Sequence, residues 1–501
     1  MEILSNEGCK YLDDYTIQNI GIPSIVLMEN AANKITESIK NMGNSIVVFC
    51  GTGNNGGDGL AIARKLNLYG KEVQIIIVGN VNKASCDFKT NLNIVKNLNI
   101  NITEVSNISN VNCLKNSILS ADYVVDALFG VGLNRDITGI FKEVINLINT
   151  YSNKTISIDI PSGLDGNSGK SFGVSIKADI TYTIEVLKKG FFINDGIDMI
   201  GKVEIVNIDV PSFLKVRMSE MTYLLSREEY KGFIKVRNKN GHKGNYGKVL
   251  VIAGSEKYTG AAFISTESCV RTGSGLVTLL THKTVADSLR GRLTESMIIE
   301  YKDAKDIIDF NSYDIIACGP GLSTSYNSKE LLNRVINETK CNLVLDADAL
   351  NIISEDRSLL EGISGRAVLT PHLGEMARLT NKTIKEVSED RIDLSKKFAN
   401  DHNIILLLKG YNTVITDGKE VFINPTGNSK MASGGMGDCL TGIITSFCGQ
   451  KLTLLEGALL GAYIHGLIGD ELSRSRYIVN ARDIIENLPK TIQELCEKEN
   501  N

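Results

Sequence analysis

Two short stretches hold residue types that can do chemistry on a bound ligand. Asn54-Asn55-Gly56-Gly57-Asp58-Gly59 combines two side-chain amides, a carboxylate, and glycines that let a ligand approach the backbone. Gly434-Gly435-Met436-Gly437-Asp438 has a similar plan in the second half, followed by a helix-like run, LTGIITSF. Backbone N–H groups at a glycine-rich helix entry attract anions such as phosphate. A carboxylate beside that entry can move a proton during phosphoryl transfer or elimination. Either acid could instead be a plain helix N-cap, Asp58 for a helix running through Arg64 and Asp438 for the run after it.

The first stretch overlaps a literal GxGxxG, Gly51 to Gly56, placed after the apolar run SIVVFC. That spelling suggests a nicotinamide cofactor site, which also needs an acid at the end of the second strand. The second strand here ends Val78-Gly79-Asn80, and Glu72 sits at its opposite end. An ordinary cofactor site is therefore the weaker reading. Two more loops leave strand-like runs: Asp126 to Asp136, containing GVGLNRD, and Asp159-Ile-Pro-Ser162-Gly-Leu-Asp165-Gly166. Ligands of parallel sheets bind at the carboxyl ends of strands, so all three loops are expected to meet in one crevice.

The elements that must position these loops alternate along the chain. Strands are predicted at 45–50, 73–78, 122–126, 155–160, 178–184 and 203–208, with helices in most gaps, including 58–69 and 136–149. After a change of texture near 212–225, strands resume at 248–253, 313–318, 342–346, 366–369, 404–408 and 413–416. The fold class is α/β with mostly parallel sheets covered on both faces. A 501-residue chain exceeds one ordinary core, and two domains are expected, 1–215 and 223–501. Net charge is -4 with no basic arm, which argues against nucleic-acid binding. Ten cysteines without a CxxC pair fit a reducing cytoplasm. The N-terminus lacks an apolar signal core. The most apolar stretch, 452–469, is broken by Glu456 and His465 and reads as a buried core helix, not a membrane span, with His465 a satisfied core residue.

The segments NNGGDG, DALFGVGLNRD and SIDIPSGLDGNSG, with GIPSIVLMENAA upstream, resemble the NAD(P)H-hydrate epimerase domain over about residues 1–210. The resemblance implies a Rossmann-like three-layer αβα domain that interconverts the R and S forms of NADH or NADPH hydrated at ring carbon C6. By the same resemblance, Asn54, Asn55, Gly56, Gly57 and Asp58 hold substrate, as do Gly130, Val131, Gly132, Leu133, Asn134, Arg135 and Asp136. It makes Asp159 the acid/base in contact with the ring, and puts a potassium ion on Asn55, Asp126 and Ser162. Oxygen ligands suit such a hard cation.

In the second half, HKGNYGKVLVIAGS, CGPGLS, LDADALN, TPHLGEMARL, LKGYNTVI and NSKMASGGMGDCLTG resemble the ADP/ATP-dependent NAD(P)H-hydrate dehydratase, a ribokinase-like αβα fold, over about 225–495. The resemblance implies Asp438 as acid/base, with Ala261, Gly321 and His372 also on the substrate. It puts the nucleotide on Lys409, Gly410, Tyr411, Asn412, Thr413 and Gly437, and Mg²⁺ near Glu375 through water. ADP is favoured over ATP as co-substrate. Read alone, His372 is more often structural, and Asp346 and Asp348 alternate along a strand end, so they rank below Asp438. The partners expected are small molecules (NADH-hydrate, NADPH-hydrate and ADP), with no membrane and with the chain as a cytoplasmic homo-oligomer. Two other readings remain: a small-molecule kinase fused to a nucleotide sensor, and a first half that only binds ligand.

Overall fold

The computed structural model describes residues 1–107, 111, 113–218, 220–306 and 308–497. The chain forms two compact units, Met1–Thr222 and Tyr223–Asn501.

The first unit is built on a seven-stranded sheet. Its spatial order is Asn101–Val105, Glu72–Val78, Ser45–Cys50, Tyr123–Ala127, Thr155–Ile158, Ile180–Ile184 and Lys202–Val206, and every neighbouring pair is parallel. Strands buried on both faces read as continuous apolar runs, as SIVVFC does. Ile46, Val48 and Cys50 pack into one core, and Val47 and Phe49 into the core on the other face. The chain reverses its direction of growth between Ser45–Cys50 and Tyr123–Ala127. In doubly wound sheets that reversal is the binding crevice.

The helix after the first of these strands starts earlier than its sequence suggests. It spans Asn54–Leu68 with Gly53 at the cap, so Asp58 lies inside the helix and does not cap it. The glycines permit this by letting the helix press onto the strand ends. A Cβ on Gly56 would stand 1.9 Å from the Gly51 carbonyl oxygen, and one on Gly59 would stand 2.6 Å from Ala127 Cβ. Because the atom in the way at Gly56 is backbone, Gly56→Ala must displace the helix. We expect about 1–3 kcal/mol of destabilisation of the first unit, read by urea unfolding, and weaker substrate binding, read as a raised KM.

The sheet of the second unit contains, in spatial order, Val421–Asn424, Thr413–Thr416, Ile405–Leu408, Ala367–Leu369, Asn342–Leu345, Ile315–Cys318, Lys248–Ile252, Leu276–His282 and Met297–Tyr301. Its pairs are parallel except where Thr413–Thr416 runs against both neighbours. The reversal falls between Lys248–Ile252 and Ile315–Cys318. Helices Thr259–Thr272, Met436–Gly449 and Leu454–Ser473 pack one apolar core onto this sheet. The last of these is the core helix expected at 452–469, and no described helix is long and apolar enough to cross a membrane. His465 departs from expectation in part: its ring bonds the Met436 carbonyl, burial pushes it down to about 4, and its Nε2 has no hydrogen-bond partner among the described residues.

Candidate functional site

In the first unit a cavity of about 600 Å³ opens at the sheet reversal. Asn54, Asn55 and Asp58 line it from the first loop, Gly130 to Arg135 from the second, and Asp159 from the third. Three of the sequence-predicted contacts lie off it. Gly56 and Gly57 are buried in the helix, the latter against Met28, and Asp136 is exposed outside the lining.

Asp159 has a left-handed backbone, φ 67°, directly after its strand. Such a conformation is strained outside glycine and persists only where the surroundings enforce it. Its N–H donates to the Tyr182 carbonyl at 2.8 Å, and its carboxylate accepts from the Ile184 N–H at 3.1 Å and forms an ion pair with Lys188. Lys188 is 1% exposed, and its ammonium also donates to Thr183 Oγ1 at 2.7 Å and to the Ile184 and Val186 carbonyls. Burial opposes its charge, but the adjacent Asp159 carboxylate together with Cys9 and Asp13 outweighs that, and the ammonium is held above its ordinary range. Burial, reinforced by the charges of Asp159 and Asp13, raises the Asp58 carboxyl well above the usual carboxylate range.

Beneath the cavity, Asp126 is fully buried among hydroxyl and amide donors. Its carboxylate accepts from Ser157 Oγ at 2.8 Å, the Ser162 N–H at 2.9 Å, Ser162 Oγ at 2.6 Å and the Leu128 N–H at 3.3 Å. Asn55 Nδ2 donates to the Phe129 carbonyl at 3.0 Å, which leaves its Oδ1 for another partner, and Ser162 Oγ lies 3.2 Å from the same carbonyl. Carboxylate, hydroxyl and carbonyl oxygens thus gather in one buried spot. Burial pushes the Asp126 carboxyl up, so a positive charge nearby would stabilise its ionised form.

In the second unit, Asp438 lies in the first turn of Met436–Gly449, and Gly435 caps that helix with φ 87°. Asp438 is therefore not the cap either. Burial, then the charge of Asp346, pushes its carboxyl up to about 6 against the pull of Lys409. Asp346 is 1% exposed, and its Oδ1 accepts from Lys409 Nζ at 2.6 Å and its Oδ2 from Thr441 Oγ1 at 2.7 Å. Burial opposes its charge, yet Lys409 holds it below the usual range. Asp346 and Asp348 lie beyond the strand Asn342–Leu345, not along it, and Ala347 between them is left-handed. Asp348 instead accepts from the Ser323 N–H at 2.7 Å.

Gly437 adjoins Lys409 here, and Gly321 and Ala261 adjoin each other. A Cβ on Gly437 would touch Lys409 Nζ at 3.3 Å, and one on Gly321 would sit 2.8 Å from Ala261 Cβ. Glu375 lies 3.9 Å from Lys409 Nζ, and burial keeps its carboxyl above its ordinary value. His372 caps the helix Leu373–Thr380 through Nδ1, which accepts from the Gly374 N–H at 2.9 Å, so it has the structural role its type suggested. The loop of Lys409 to Thr413 is held from below by buried Arg391, which donates to the Tyr411 carbonyl at 2.8 Å. Asp13, Lys188 and Arg391 were outside every motif. Only charge inside an apolar run, as in IEVLKKGFF, marked Lys188.

A cavity of about 1380 Å³ in the second unit lies elsewhere. Residues 234 to 241, Arg271 and Lys451 line it, and it contains none of the residues above. Its Lys235 and Arg237 already donate to the carbonyls of Lys451 and Gly273.

These two units define an α/β enzyme with a doubly wound first half and a ribokinase-like second half. The second half is similar to a ribokinase-like superfamily protein from Enterococcus faecalis, at 28% identity and TM-score 0.51, over 56% of this chain and 98% of that one. Residues 249–490 match the family model described as NAD(P)H-hydrate dehydratase, and residues 24–190 match the YjeF-related protein N-terminus. The bifunctional NAD(P)H-hydrate repair enzyme Nnr of Moorella thermoacetica is 37% identical over 97% of this chain and 96% of its own. That of Dictyoglomus turgidum is 32% identical over the full length of both. The chain belongs to the bifunctional NAD(P)H-hydrate repair enzymes, with an epimerase first half and a dehydratase second half.

Proposed function

We propose that Asp159 moves the proton during epimerisation and Asp438 during dehydration, each on NADH or NADPH hydrated at C6. The observation that carries this reading is the convergence of three strand-end loops on one cavity with Asp159 in its wall. In that cavity the hydrated ring meets Asp159, and Asn54, Asn55, Asp58 and the Gly130-to-Arg135 loop hold the rest of the molecule. Gly56, Gly57 and Asp136 contribute by shaping these two loops. Asn55, Asp126 and Ser162 suit a potassium ion, because oxygen donors gather there around a buried carboxylate. The bound ion would supply fixed positive charge under the cavity.

In the second unit, Ala261, Gly321 and His372 border the hydrated ring. Lys409, Gly410, Tyr411, Asn412, Thr413 and Gly437 hold the nucleotide, and Glu375 orders Mg²⁺ through water. When bound, Mg²⁺ would neutralise charge on the transferred phosphoryl group. Asp438 takes the proton of the 6-hydroxyl as that oxygen attacks the terminal phosphoryl of ADP, releasing AMP. The C6–O bond then breaks with phosphate as leaving group, C5 loses a proton, and the dihydronicotinamide ring is restored. ADP is the proposed co-substrate. Ten free cysteines support a reducing cytoplasm. A homo-oligomer is part of the same reading, on family resemblance alone.

The test supplies the pure S epimer with ADP or ATP and follows AMP and phosphate. We expect one AMP and one phosphate per ring restored. Accumulation of a stable phosphorylated product would favour a kinase instead.

A further inference from the structure

Asp13 belongs to none of the three loops, yet it stands in the wall of the same cavity. Cys9, Leu12 and Asp13 share one face of the helix Asn6–Tyr15, and all three line the cavity. The turn after Asp159 fastens that helix. Asn6 Nδ2 donates to Asp165 Oδ1 at 3.0 Å, the Asn6 N–H donates to Asn167 Oδ1 at 2.7 Å, and Asn167 Nδ2 donates to Glu7 Oε2 at 2.9 Å. One loop thus fixes both carboxyl groups. They differ in what holds them. Asp159 is gripped by Lys188 and the Ile184 N–H, whereas the Asp13 carboxyl makes no hydrogen bond among the described residues and is exposed to the cavity. Of the other two carboxyls in the cavity wall, Asp58 is 8% exposed and set inside its helix, and Glu185 is 6% exposed and accepts from the Ile208 and Val210 N–H groups at 2.7 and 3.1 Å, so both exchange protons with water less readily.

We propose that Asp13 is the second proton-carrying group of the epimerase site, acting as acid when Asp159 acts as base and the reverse. This rests on the reading of Asp159 given above. Starting from the R epimer, Asp13 protonates the 6-hydroxyl, and the C6–O bond breaks with its electron pair leaving on water. The ring nitrogen's lone pair stabilises the C6 cation. A second water adds to the opposite face of C6 and gives its proton to Asp159. The product is the S epimer with Asp13 ionised and Asp159 protonated. Exchange with cavity water returns the proton, and the S-to-R direction uses the two groups in swapped roles. One group with one proton cannot serve both faces of the ring without moving between them.

The charged and titratable groups facing Asp13 are Asp159, Lys188 and Glu185 from the sheet side, Asp58 from its helix, and Asp14 and Cys9 on its own helix. Although open to the cavity, Asp13 stands in a recessed wall, and the partial loss of water there, then the charge of Asp159, pushes its carboxyl up to about 7. The active form in both directions is the pair carrying one proton. That form persists near neutrality and is lost as pH rises, so epimerisation declines on the alkaline side.

The experiment separates the epimers by chromatography without nucleotide, so the dehydratase plays no part, and subtracts the uncatalysed rate. It compares wild type, Asp13→Asn, Asp13→Glu and Asp159→Asn from mildly acidic to mildly alkaline pH. We expect Asp13→Asn to lose about 100-fold or more with KM little changed, Asp13→Glu to recover part of the rate, and wild type to decline above about pH 7. An Asp13→Asn chain that epimerises like wild type, with Asp159→Asn inert, would overturn this proposal and spare the reading of Asp159. Activity in Asp159→Asn would sink that reading itself. If Asp13→Asn fails to fold, the wild-type profile still decides: a rate that stays flat into the alkaline range overturns the proposal.

Discussion

An Asp438→Asn chain is expected to lose dehydration by about 10²–10⁴-fold in kcat while nucleotide affinity changes little. Asparagine keeps the shape of aspartate but cannot accept the 6-hydroxyl proton. The proposed nucleotide contacts, Gly437 and the Lys409-to-Thr413 loop, are untouched, and the Lys409–Asp346–Thr441 chain of bonds remains. The wild-type pH profile has a definite sign. Burial and the nearby charge of Asp346 push the Asp438 carboxyl up to about 6, so the base form is scarce below that pH and dominant above it. Then kcat/KM for the S epimer should rise as pH increases through about 6, and that limb should vanish in the variant. Lost nucleotide affinity with normal turnover at saturation would contradict this division of roles. Single-turnover kinetics and nucleotide titration supply both readouts.

Lys188→Met carries the second large effect. It removes the cation from a pair whose lysine is 1% exposed, leaving Asp159 partly buried without its partner. Breaking a buried pair from one side costs about 3–5 kcal/mol, whereas removing both charges together is often nearly neutral. The unfolding transition of the first unit should shift down accordingly, and epimerase activity should fall with it. Lys188→Met combined with Asp159→Asn should regain much of the stability and none of the activity. Denaturant unfolding of the single and double variants forms the cycle that checks this. A single variant as stable as wild type would mean that the pair is not the buried link it appears in the geometry.

The alternation of apolar runs with helical patterns made both sheets legible, because parallel strands buried on two faces leave an unbroken apolar signal. Four strands were less visible. Asn101–Val105 carries Asn, Thr and Glu at a sheet edge where only Val105 is buried. Met297–Tyr301 is likewise an edge. Leu276–His282 is separated from the helix Thr259–Thr272 by only three residues, and Val421–Asn424 is too short to show a period. The capping alternatives for Asp58 and Asp438 failed for one reason: the residues just ahead of each acid, Asn54 to Gly57 and Met436-Gly437, are themselves helical. The loop residues at strand ends could be anticipated because a sheet reversal gathers such loops. Asp13, Lys188 and Arg391 could not, since their importance comes from neighbours distant in sequence, such as Asp165 and Asn167 fixing the helix of Asp13.

An epimerase half and a dehydratase half in one chain should together repair both epimers. The most direct measurement supplies an R/S mixture of hydrated NADH with ADP and Mg²⁺ and follows the absorbance band of the restored dihydronicotinamide ring. Parallel runs use wild type, Asp159→Asn, and no enzyme. Wild type should recover the ring completely, faster than spontaneous epimerisation allows, and Asp159→Asn should stall with the R epimer left. A wild-type chain that restores only the S share would contradict an active first half, and no recovery at all would contradict the repair function of the whole chain.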